Sequence, residues 1–281
     1  MRKHLIPVLL ISATLGFSGC TAINEVTATS AGVKLLQAAT ISDEYVQQIS
    51  ADYIKQLDAQ NEIANGSNPY ATRIERLTRS FNNKDGINIK VYLTPEVNAF
   101  ATADGSVRVY SGLMDIMTDE ELLGIIGHEI GHYINHDTRD AFCNALVTSA
   151  VRDGLASTGG VVGALSSSQV GALGEALSSS RYSRKQESEA DDYGYEFLKQ
   201  HGINPWAMAI AFEKMQQLDS SSSTAPGLQQ LFSSHPDSAA RAQRMAQKAL
   251  KDGYSRPSNT SGGSASSGSG AAASTSNEWT F

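Results

Sequence analysis

Apolar positions along this chain recur at helical spacing over most of its length and switch to strict alternation in one stretch. Val33, Leu35 and Leu36, then Tyr45, Ile49, Tyr53, Ile54 and Leu57, follow a period of three to four across residues 24–64. Asn65-Gly66-Ser67-Asn68-Pro69 breaks that pattern, and Ile74, Leu77 and Phe81 then mark one face of a helix over 70–81. After the turn Asn83-Lys84-Asp85-Gly86 the period becomes two: Ile87, Ile89, Val91 and Leu93 alternate with polar residues, as in a half-buried strand. Two more short strands, 97–101 and 107–110, flank Ala103-Asp104-Gly105. Helical patterns return at 111–117, 119–136, 205–218 and 237–251. These elements predict an α+β, helix-rich fold with a small β-sheet beside a long helix.

That long helix carries the candidate chemistry. Thr118 and Glu121 have the spacing of a capping box, and Leu122, Leu123, Ile125 and Ile126 follow as an apolar run. The run leads into Gly127-His128-Glu129-Ile130-Gly131-His132, an H-E-x-x-H pattern. His128 and His132 share a helical face, about 6 Å apart along the axis, so both imidazoles can converge on one metal ion. Glu129 sits one residue round, where its carboxylate can reach a water at an open metal position. Zinc held by two His and one carboxylate, with that position open, is the arrangement of a metallopeptidase. The bland reading is a helix with two solvated histidines, but polar residues in an apolar helix are costly unless used. His136 lies about 12 Å from His128 along the axis, too far for one ion with Zn–N distances of about 2.1 Å. It is read as a surface residue, or one that touches a ligand from outside.

A second polar stretch, Arg181 to Gly194, has Glu187 and Asp191 four apart on one helical face. Taken alone, such a run is a solvated acidic face. Set beside the two histidines, Glu187 can supply a third zinc ligand. Asp191 can accept the N–H of a ligating imidazole and fix its tautomer. Between the two stretches, residues 138–180 are rich in Ala, Gly, Ser and Val. They read either as a loosely packed lid over a cleft or as a low-complexity insertion.

Length and charge narrow the classes. The chain has 281 residues, 41% hydrophobic and 18% charged, with net charge −7. That suffices for one globular domain with a sizeable core. An acidic balance with no basic stripe argues against a nucleic-acid partner. Residues 1–19 read as a signal peptide: Arg2 and Lys3 precede an apolar run from Leu5 to Phe17, too short to span a bilayer. Phe17-Ser18-Gly19-Cys20 resembles a bacterial lipobox, in which Cys20 is lipidated and begins the mature protein. Thr21 rather than Asp after it points to the periplasmic face of the outer membrane. Cys143 then has no partner in the mature chain and is read as a buried small hydrophobe. Residues 253–281 are Ser/Gly/Ala-rich up to Ala273 and are expected to be disordered.

The H-E-x-x-H helix, Glu187-Ser188-Glu189-Ala190-Asp191, and Ser234-His235-Pro236 followed by Arg241 together resemble the family of HtpX and the CAAX prenyl protease. Asn98-Ala99-Phe100-Ala101 and Arg108 to Met114 resemble its periplasmic members. The likeness covers roughly residues 40–252. It implies a helix-rich gluzincin fold in residues 20–252, one zinc ion and endopeptidase activity. His128, His132 and Glu187 would bind the metal, Glu129 would be the general base, and Asp191 would support a ligand. His235 matches a family histidine near the metal, either a displaceable fourth ligand or a donor to the oxyanion; Arg241 would support the site electrostatically. Asn98, Ala99, Phe100 and Ala101 are the candidate strand for pairing with substrate backbone. His235-Pro236 also reads as a helix-start turn, with Asp237 or Ser238 capping.

Two function classes remain. One is a zinc endopeptidase of the cell envelope acting on unfolded or misassembled envelope proteins. The other is a chaperone-like or scaffolding lipoprotein whose zinc is structural or latent. Expected partners are polypeptide substrates, the membrane through the Cys20 anchor, and outer-membrane assembly proteins.

Overall fold

A computed structural model describes residues 41–156, 171, 173–174, 182–220, 227, 231 and 233–258. The signal segment, Cys20, most of the stretch after residue 156 read as a lid, and most of the Ser/Gly/Ala tail lie outside the described residues. In chain order the elements are α1 (Asp43–Gln60), α2 (Pro69–Thr78), β1 (Asn88–Tyr92), β2 (Ala99–Ala101), β3 (Ser106–Tyr110), α3 (Ser111–Ile116), α4 (Asp119–Ile134), α5 (Asp137–Ala156), α6 (Arg184–Gln200), α7 (Trp206–Ser220) and α8 (Ser238–Lys251). The fold is helix-rich α+β with a small mixed sheet, as the patterning predicts.

Local signals fix the helix starts. Thr118 and Glu121 close a capping box on α4, and Ser183 with Gln186 closes another on α6. Asn68 caps α2 ahead of Pro69. Asp237 does not behave as the sequence suggests. It stands at the N-cap of α8 in a left-handed conformation (φ 64°) and makes no side-chain cap. Its carboxylate turns instead to Arg184 Nε, 2.9 Å away. α4 ends at Ile134 rather than 136, because His136 takes φ 59° and turns the chain.

The sheet order is β1-β3-β2, with β3 parallel to β1 and antiparallel to β2. β2 therefore lies at an edge of the sheet. A partly buried ion pair ties α1 to the sheet: Arg108 Nε donates to Asp58 Oδ1 at 2.8 Å, joined by the Tyr92 hydroxyl at 2.7 Å and Lys90 Nζ at 2.8 Å. Burial raises the Asp58 carboxyl, but hydrogen bonds from Arg108, Lys90 and Tyr92 outweigh it and hold the group at about 2.

α4 runs through the middle of the core, against the sheet on one side and α6 and α7 on the other. Its face toward α6 is glycine. A β-carbon on Gly127 would meet Phe197 Cδ1 at 2.9 Å, and one on Gly131 would meet Ala190 Cα at 2.9 Å. On α6, a β-carbon on Gly194 would meet the backbone nitrogen of His128 at 2.9 Å. This close approach sets the distance between the two polar stretches. A smaller cluster of Ile41, Val46, Ile49, Phe142 and Leu173 joins α1 to α5, with Cys143 half-buried beside it and free.

Candidate metal centre

Four buried side chains converge where α4, α6 and the start of α8 meet. His128 and His132, one turn apart, bring their Nε2 atoms to 3.1 Å of each other. From α6, Glu187 places Oε1 3.6 Å from His132 Nε2 and Oε2 3.7 Å from His128 Nε2. His235, just before α8, puts Nδ1 3.0 Å from Glu187 Oε1 and 3.3 Å from His128 Nε2. One ligand atom from each of the four lies within 4.8 Å of the others.

The outer nitrogens settle what the inner ones offer. His128 Nδ1 is 3.0 Å from Asp191 Oδ1, and His132 Nδ1 is 2.7 Å from Asp137 Oδ2. A carboxylate accepts only an N–H, so these partners assign the proton to Nδ1 in both rings and leave the Nε2 lone pairs facing each other. Lone pairs facing across 3.1 Å repel unless a proton or a cation lies between them. Burial lowers the His132 imidazole, but hydrogen bonds with Asp137 and Glu187 and the charge of Glu129 outweigh it and raise the ring to about 9, so without a cation it carries a second proton. Once that proton is given up, two imidazole nitrogens and a carboxylate are the donor set zinc takes. Burial, then the Arg241 guanidinium and His132, push the His128 imidazole down to about 3, which keeps it neutral.

Arg241 holds the acidic side together. Its Nη1 is 2.6 Å from Glu187 Oε2, its Nη2 2.6 Å from Asp191 Oδ1, and its guanidinium lies 4.1 Å over the Phe212 ring. Burial raises the Glu187 carboxyl, but His235 and Arg241 together hold it far below the usual range. Glu129 is 3% exposed, with Oε1 3.8 Å from His235 Nε2. Burial pushes its carboxyl up.

The structure thus brings together His128, Glu129, His132, Glu187, Asp191, His235 and Arg241. His136 is exposed and stays apart from them. His201 caps the end of α6, its Nδ1 2.8 Å from Phe197 O. Asn98 lies just before β2, where its carbonyl accepts the Tyr110 N–H at 3.0 Å, and Ala99, Phe100 and Ala101 form the edge strand. The Thr138 hydroxyl donates to Ala101 O at 3.4 Å, tying that strand to the chain just past α4.

Three contacts escaped the sequence reading. Asp137 is one, and Tyr182, whose ring stacks on His132 at 4.0 Å and 17°, is another. Phe212 under Arg241 is the third. Asp137 is five residues past His132, so helical periodicity gives no signal for it. Only the turn at His136 brings it back.

Residues 68–249 match peptidase family M48. The metalloprotease LoiP of Escherichia coli K12 is 40% identical over 256 residues, 90% of this chain and 99% of LoiP. The metalloprotease YcaL of the same organism is 37% identical over 251 residues, 87% of this chain and 96% of YcaL. A crystal structure of S. mikatae Ste24p aligns with 78% of this chain and 63% of its own, at 16% identity and a TM-score of 0.44. The family match spans both polar stretches and the His235 turn, and two metalloproteases align along nearly the whole chain: the protein belongs to peptidase family M48.

Proposed function

We propose that this metalloprotease is a zinc endopeptidase of the bacterial cell envelope that cleaves unfolded or misassembled envelope proteins. The observation that carries the reading is the convergence of His128, His132 and Glu187, with Glu129 on the same helix as the histidines. Those three hold the ion. Zinc bound there supplies a Lewis acid that polarises the scissile carbonyl and lowers the pKa of water. Glu129 takes the proton of the attacking water on its carboxylate and passes it to the leaving amine nitrogen. A raised carboxyl pKa suits a group that must first accept that proton and then release it. Asp191 orients His128, and Arg241 balances the charge of Glu187 and Asp191. His235, with Nδ1 among the ligand atoms, would complete the metal's ligand set or donate to the oxyanion.

The edge strand Ala99–Ala101, with Asn98, takes the substrate backbone as an added strand. Backbone pairing selects an extended chain over a folded one, which suits unfolded substrates. The Cys20 pattern supports a lipid anchor at the periplasmic face of the outer membrane, near outer-membrane assembly proteins, with residues 20–252 as the catalytic domain. No helix among the described residues is long and apolar enough to cross a membrane. A structural zinc in a scaffolding lipoprotein would leave the buried Glu129 without a use.

The test is casein cleavage by wild type and Glu129→Gln, each with and without a chelator. Cleavage by wild type alone, lost roughly 100- to 10,000-fold in the variant and abolished by chelator, supports the reading. Equal cleavage by both proteins refutes it. Cys20→Ala should move the protein from the membrane to the soluble periplasmic fraction.

A further inference from the structure

The two histidines of the cluster are braced from behind in the same way, but from different parts of the chain. His128 leans on Asp191 of α6. His132 leans on Asp137, 2.7 Å from its Nδ1, with both side chains buried. Asp137 reaches that place because the chain leaves α4, passes His136 at φ 59°, and re-enters a helix at Asp137. A left-handed step at a residue with a β-carbon is unfavourable, so the surrounding fold must hold it. Next to Asp137, Thr138 donates to Ala101 O of the edge strand, and the Tyr182 ring stacks on a face of the His132 imidazole. His132 is thus bonded at its outer nitrogen and covered on one face.

We propose that Asp137 is the positioning residue of His132: it accepts the Nδ1–H, so that Nε2 presents its lone pair to the metal. The proposal rests on the zinc reading above. A neutral imidazole is otherwise divided between two tautomers, and only the Nδ1–H form can ligate through Nε2. A carboxylate on the outer nitrogen also makes the ring a stronger donor and fixes its tilt. A purely structural Asp137 would act differently. As the first residue of α5 it would favour the helix start, and its loss would lower stability without regard to His132.

The experiment measures zinc affinity of the full chain by competition with a chelator, for wild type, Asp137→Asn and Asp137→Ala, in native and His132→Ala backgrounds. The melting temperature of each metal-free protein is measured alongside. Asn is nearly isosteric, so it keeps the fold if the larger change does not. With His132 present, Asp137→Ala should weaken zinc binding roughly 10- to 100-fold, and Asp137→Asn by less. In the His132→Ala background either change should alter affinity by no more than about twofold, the signature of two residues acting as one. Unchanged affinity in both Asp137 variants, or an equal loss in both backgrounds, overturns the proposal. A wild-type chain that takes up no zinc overturns the zinc reading itself.

Discussion

Arg241 and Glu187 are ion-paired at 2.6 Å, Nη1 to Oε2, with both side chains less than a tenth exposed. The same guanidinium serves Asp191, so one cation faces two buried carboxylates. Removing one partner of a buried pair leaves the other uncompensated, at a cost of about 3–5 kcal/mol. Arg241→Met should destabilise the zinc-free protein by about that amount in urea unfolding. Added zinc, which supplies positive charge to the same carboxylates, should restore part of it. An unchanged unfolding midpoint would contradict the role given to Arg241.

His235 separates two chemistries. Its Nδ1 lies among the ligand atoms, 3.3 Å from His128 Nε2, where a fourth ligand would sit. His235→Ala should then raise peptide turnover at saturating zinc, because substrate no longer has to displace an imidazole. A variant that binds zinc normally but turns over more slowly would mean that His235 donates to the transition state.

The glycines between α4 and α6 make a prediction about distance. Ala is the better helix former by about 1 kcal/mol, so Gly194→Ala should stabilise an isolated α6. In the fold, the new methyl would meet the His128 backbone nitrogen at 2.9 Å and push the helices apart. Overpacking of this kind costs roughly 1–3 kcal/mol. It should lower zinc affinity as well, since it carries Glu187 away from His128 and His132. A variant as stable as wild type with full zinc affinity would show that the close approach does not set the site.

Asp58 contributes to the acid response alongside Glu187 and Asp191, whose carboxyls are also held low. The Asp58 folded pKa of about 2 lies below the ordinary carboxylate value of about 3.9. A depressed folded pKa contributes stability that is fully present above the unfolded value and is lost as pH falls through the folded one. Unfolding free energy should therefore drop between about pH 4 and pH 2. Asp58→Asn should flatten that part of the curve. Parallel curves for the two proteins would assign the acid loss to other groups.

Part of this was legible in the residues themselves, for a physical reason. His128 with His132, and Glu187 with Asp191, each repeat at four, and a helix turns that spacing directly into a shared face. That the two faces meet is decided by Gly127, Gly131 and Gly194, whose role shows only once α4 and α6 are packed. Asp58 and Arg108 are fifty positions apart, and no periodicity links them. The parallel pairing of β1 with β3 was hidden for a similar reason, since alternation marks a strand but not its neighbour. Asp237 misled because a capping residue type is not a cap once Arg184 competes for its carboxylate.

The account stands on three side chains closing around one ion, and metal analysis of the purified chain with its Glu187→Ala variant tests that most directly. One zinc per wild-type chain, with the variant retaining far less after the same dialysis, is the predicted result. A wild-type chain that holds no zinc and takes none up, or a variant that keeps as much as wild type, would contradict it.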